Sequence, residues 1–237
     1  IFLAPMLLSN ILQSMSGTIN NIYIGQMIGV DALAAVSSFF PVMFFFIAFT
    51  IGLGAGASVL IGQAWGARQI DKARAVAGTT LTVGALFGLL VAVFGGIFTR
   101  PMLAALGTPP DILPDATSYA RIILIAMPGL FVFLLSTAML RGVGDTVTPL
   151  YTLMISTLLG LIITPALIRG WFGLPQMGVS SSACATVVSF VVATAWLAIH
   201  LRRKKSPLAP DADFVRHLRI MPAPLKGVLK GGVPTRV

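Results

Sequence analysis

Glutamate is absent from this 237-residue sequence, and the only acids are seven aspartates. There is one cysteine, Cys184, and there are two histidines, His200 and His217. A lone cysteine forms no internal disulfide and says nothing about redox compartment. The histidines are isolated, so no metal-spaced His/Cys set exists, and no metal or cofactor is expected. No nucleophile–base pair and no phosphate-binding loop appears, which argues against an enzyme. Charged side chains make up 10% of the chain, against about 25% in soluble domains. None falls in the middle of an apolar segment, where a buried charge would mark a proton or ion relay.

Hydrophobic residues make up 57%, and the mean hydropathy is +0.95. Six apolar segments can be placed, at about 2–27, 33–62, 75–99, 119–141, 146–168 and 177–200. Each is long enough to cross a bilayer as a helix, which needs about 20 apolar residues. Period-2 alternation, the sign of a membrane barrel, is missing. The reading is an all-α polytopic membrane protein, a six-helix bundle. Pro41 and Pro128 fall inside the second and fourth segments as candidate kinks. The stretch 100–118 reads as a Pro/Gly-marked ordered or interfacial loop.

The net charge of +9 does not point to nucleic acid, because basic residues sit at segment ends and in one tail. With the start in the cytoplasm, Arg68, Lys72, Arg74, Arg141, Arg202, Arg203, Lys204, Lys205, Arg216, Arg219, Lys226 and Lys230 lie inside. Arg100, Arg121 and Arg169 lie outside. Twelve against three satisfies the positive-inside rule and predicts a multi-pass protein of the cell membrane, the inner membrane in a bacterium. Residues 1–201 form the helical lobe, 202–221 a cytoplasmic basic linker, and 222–237 the start of a truncated second lobe. No cleavable signal peptide is visible, and the chain reads as cut at both ends.

The informative polarity is neutral. Asn10, Gln13, Ser14, Gly17, Asn20 and Asn21 recur at three- and four-residue steps, on one helix face. Amides facing lipid would leave donors and acceptors unmatched, so this face meets other helices or a wet cavity. The fifth segment carries Thr152, Ser156, Thr157 and Thr164, and the sixth carries Ser182, Thr186 and Ser189. The plainer reading for these hydroxyls is interhelical hydrogen bonding. Small residues at 52, 56, 58, 62 and 66 let a neighbouring helix approach closely, and Gly62 and Gly66 are the expected packing or gating positions. In RGVGDTVTP at 141–149, Gly142 and Gly144 permit a turn and Asp145 can cap the next helix. Arg141 could pair with an acid or carbonyl there.

Four stretches together, INNIYIGQMIGVDALAAVS at 19–37, GASVLIGQAWGAR at 56–68, RGVGDTVTP at 141–149 and GVSSSACATVVS at 178–189, resemble the N-terminal lobe of the multidrug and toxic compound extrusion (MATE) transporters. The resemblance implies two lobes of six helices each, this chain being one. It implies export of organic, often cationic compounds by alternating access, driven by inward sodium ions or protons, with the missing C-terminal lobe as partner. Substrate or ion-pathway residues are then Asn10, Gln13, Asn20 and Thr186, the last matching the family's threonine in the sixth helix. The family's acids are not retained: Asn20 stands in the first helix, and Gly160 and Thr164 precede Pro165. Two alternatives are a flippase-like exporter of lipid-linked or amphipathic compounds and a non-transporting scaffold or receptor.

Overall fold

The computed structural model describes residues 3–170 and 178–204. Among these, seven helices run α1 (Leu3–Met27), α2 (Val30–Ser38), α3 (Phe40–Gly66), α4 (Ile70–Ala105), α5 (Leu113–Gly142), α6 (Val147–Arg169) and α7 (Ser180–Arg203). Helices α3 to α7 are each long and apolar enough to span a membrane. Helix α1 has 25 residues, a length of about 37 Å at 1.5 Å per residue, but its amides and hydroxyls dilute its apolar character. The protein is a multi-pass, all-helical membrane protein. The linker from 205 onward and the segment 222–237 lie outside the described residues.

Two boundaries differ from the sequence reading. The second segment is two helices, broken at the buried Phe39. Pro41 lies in the first turn of α3 and so starts a helix rather than kinking one. Its missing N–H costs nothing there, whereas inside a continuous helix its ring would clash with the carbonyl four residues back. The stretch 100–118 is mostly helical: α4 runs on to Ala105 and α5 begins at Leu113, leaving 106–112 as the connection. Pro101 lies inside α4 and removes only one backbone bond, while the fully buried Leu103 anchors the last turn. Pro128 does lie inside α5.

Helix α5 is central, packing on α4, α3, α7 and α2, while α6 joins α7 to α1. The reason α4 comes so close is glycine. A β-carbon on Gly88 would stand 2.6 Å from Cα of Pro128, and one on Gly84 would stand 2.3 Å from a methyl of Leu135. Phe87 of α4 fills the seam between, stacking 5.9 Å from Phe131 and lying 4.4 Å from Phe49 of α3. Apolar residues cluster at both ends of the bundle. One cluster joins Ile61 of α3, Val76 of α4, Leu140 of α5 and Leu201 of α7. The other joins Phe39, Leu103, Ala120 and Ala183. The first cluster fixes the sense of the helices: it gathers the end of α3, the start of α4 and the ends of α5 and α7. Arg68, Lys72, Arg74, Arg141, Arg202 and Arg203 therefore share one end of the lobe. Large apolar side chains such as Phe44, Phe45, Ile97 and Ile162 are more than half exposed, which suits a lipid-facing surface.

Candidate functional site

The polar stripe of α1 meets two hydroxyl-bearing helices. A cavity of about 220 Å³ opens between α1, α6 and α7. Helix α1 contributes Gln13, Ser16, Gly17, Asn20 and Tyr23, which recur at three- and four-residue steps and so share a face. Helix α6 contributes Ser156, Thr157, Gly160 and Thr164, with Leu153 and Leu161, and α7 contributes Thr186, Ser189 and Phe190. No charged residue is among the lining.

The hydroxyls fall into two groups. On α7, Thr186 donates to the carbonyl of Ser182 at 2.8 Å and Ser189 to that of Ala185 at 2.7 Å. Deeper in α6, Thr152 does the same to Thr148. Their protons are spent on their own helix, and their oxygens keep acceptor capacity. Ser156, Thr157 and Thr164, although at least nine-tenths buried, make no hydrogen bond among the described residues. Pro165 follows them inside α6. Lacking an N–H, it cannot donate the helical bond that the carbonyl of Leu161 would accept.

Of the expected pathway residues, Gln13, Asn20 and Thr186 come together in this cavity. Asn10 does not line it, being exposed near the start of α1. Tyr23 and Ser16 were not singled out from the sequence, though the period that groups Asn20 with Gln13 reaches both. Gly160 and Thr164, the two positions ahead of Pro165 that depart from the expected pattern, are in the cavity wall.

On the far side of α7, an apolar groove of about 670 Å³ runs between α5 and α7, past Pro128, Gly129 and Val191. Thr186 and Phe190 border both spaces. Thr194, the other hydroxyl in the groove, is folded back onto the carbonyl of Phe190 at 2.7 Å.

At the basic end, Gly62 and Gly66 differ. A β-carbon on Gly62 would meet the carbonyl oxygen of Gly142 at 2.9 Å, whereas one on Gly66 would meet nothing within 4 Å. The close approach is thus one turn earlier than the end of the stripe. Gly142 serves the same contact, its own β-carbon falling 2.5 Å from the carbonyl oxygen of Ser58, and the turn itself falls to Gly144 at φ +85°. Asp145 accepts from the backbone N–H of Thr148 at 2.9 Å and from its hydroxyl at 2.6 Å, capping α6. Arg141 is half-buried beside this turn and makes no ion pair with Asp145. Among the described residues, no group of three metal-ligating side chains occurs.

Known proteins resemble this chain in sequence and in fold. The probable multidrug resistance protein YoeA of Bacillus subtilis is 45% identical over the whole chain, which covers 51% of that protein. The FAD transporter of Shewanella oneidensis is 29% identical over 82% of the chain and 43% of its own length. Among solved structures, a MOP superfamily transporter from Pyrococcus furiosus superposes with a TM-score of 0.85 at 26% identity, over 96% of this chain and 49% of that one. The chain spans about half the length of the relatives it matches. Members of this group are transporters rather than enzymes. Residues 5–166 match the family described as MatE, and the chain belongs to that family.

Proposed function

We propose that the chain is the N-terminal half of a secondary active multidrug exporter, an antiporter that moves organic compounds outward by alternating access against an inward cation gradient. The observation that carries this reading is the neutral, hydrogen-bonding cavity that α1, α6 and α7 enclose within otherwise apolar helices. Polar groups at that depth are costly unless they serve a partner or a solute. The names of YoeA and of the MepA multidrug export proteins support the substrate class. Residues 1–201 form the lobe, the basic stretch from 202 to 221 links it along the cytoplasmic face, and a second six-helix lobe completes the path. Gln13, Asn20 and Thr186 belong to the substrate wall. No carboxylate lines the cavity, so the group that couples to a sodium ion or proton belongs to the other lobe. Gly62 and the Asp145 turn hold the cytoplasmic end.

A second reading, flippase-like export of amphipathic compounds, is favoured by the apolar groove that shares Thr186 and Phe190 with the cavity. Efflux of an organic cation from cells carrying the complete gene, compared with an empty vector, tests both against a non-transporting scaffold. Dependence on substrate chain length then separates the two transport readings. Equal dye retention with gene and vector would reject transport.

A further inference from the structure

We infer that the cavity between α1, α6 and α7 binds an uncharged group that both donates and accepts hydrogen bonds, a hydroxyl or an amide, and that Ser156, Thr157 and Thr164 select it. This deepens the transport reading above and rests on it.

The argument is one of matching donors to acceptors. Ser156, Thr157 and Thr164 are 9%, 8% and 3% exposed. They line the cavity and make no hydrogen bond among the described residues. Each presents an O–H donor to the cavity, where an occupant has to accept it. Gln13 and Asn20 add amide donors. A bare cation would engage the oxygens and leave these protons without acceptors. It would also carry an uncompensated charge into a wall that contains no acid, a burial that proteins avoid.

An anion fails for the converse reason. The lone pairs of Thr186 and Ser189, whose protons are already donated to their own helix, would face it. Only an occupant with both functions and no net charge satisfies both walls. At about 220 Å³ the space is below the 300–1,000 Å³ of drug-sized sites. It takes a small solute or the polar head of a larger one.

The test uses the purified full-length transporter in lipid nanodiscs and equilibrium dialysis with two probes, radiolabelled xylitol and radiolabelled sodium ion. Wild type is expected to bind xylitol saturably. Thr157→Val and Thr164→Val are each expected to weaken that binding at least fivefold without lowering the melting temperature, since an unpartnered hydroxyl is what they remove. Sodium binding, if any, should not change in either variant. Absence of saturable xylitol binding, which is the result if water alone fills the cavity, would overturn the inference. So would loss of sodium binding in the valine variants. Dye efflux by the same wild-type protein is read in parallel. Efflux without xylitol binding removes only the ligand class, whereas xylitol binding without efflux removes the transport reading and keeps the site.

Discussion

Gly62 of α3 and Gly142 of α5 meet backbone to backbone. A β-carbon built on Gly62 would stand 2.9 Å from the Gly142 carbonyl oxygen, and one on Gly142 would stand 2.5 Å from that of Ser58. Neither neighbour is the end of a flexible side chain, so added bulk moves a helix. Gly62→Leu and Gly142→Ala should each destabilise the protein by about 1–3 kcal/mol, the usual cost of overpacking. Gly66→Leu should have little effect. Melting of the purified full-length variants checks this. A Gly62→Leu protein as stable as wild type would show that the two helices part at no cost.

The cap on α6 gives a second outcome. Asp145→Ala removes both bonds to Thr148 and should cost about 1 kcal/mol. Asp145→Asn keeps an acceptor for the backbone N–H and should cost less. Equal losses in the two variants would place the importance of Asp145 in its charge, for instance toward Arg141, rather than in capping.

Orientation can be checked with an impermeant thiol reagent in a Cys184→Ser background. Pro110→Cys, in the exposed connection between α4 and α5, should label from outside intact cells. Lys204→Cys, exposed at the end of α7, should label only after permeabilisation. The reverse pattern would invert the topology drawn from the basic residues.

Charge chemistry at Asn20 is the fourth outcome. Because no acid, lysine, arginine or histidine lines the cavity, Asn20→Ala should alter substrate affinity and leave the pH profile of efflux in place. Asn20→Asp should add a pH-dependent step, since it puts a carboxylate into a cavity that has none. A flattened pH profile in Asn20→Ala would move the coupling step into this lobe.

Much of this was legible in the sequence, because a bilayer simplifies the rules: long apolar runs are helices, and polar stripes turn inward. The α1 stripe pointed to a cavity, whereas hydroxyls of the fifth and sixth segments, expected to bond between helices, line the cavity, and Thr152, Thr186 and Ser189 bond within their own helix. What was not legible depended on where helices cross. Asn10 and Tyr23 belong to the same periodic pattern, but α1 lines the cavity only from Gln13 to Tyr23. Gly62 and Gly66 are equivalent in spacing, yet α5 reaches only the first. Pro41 read as a kink because the apolar run continues through it. The break at Phe39 follows from the backbone hydrogen bonding, which hydropathy does not register.

The central claim is that the α1–α6–α7 cavity lies on an export path. Gly160→Leu tests it most directly, because a β-carbon there already reaches 3.6 Å from the Ser189 hydroxyl oxygen, so the longer side chain fills the cavity. Leu158→Trp, on the exposed side of the same helix, is the control. The measurement is the initial rate of efflux of a fluorescent organic compound bearing an uncharged hydroxyl or amide group from cells expressing equal amounts of each full-length protein. The account predicts export by wild type and by Leu158→Trp, with at least a tenfold loss in Gly160→Leu. Export by Gly160→Leu at the wild-type rate would contradict it.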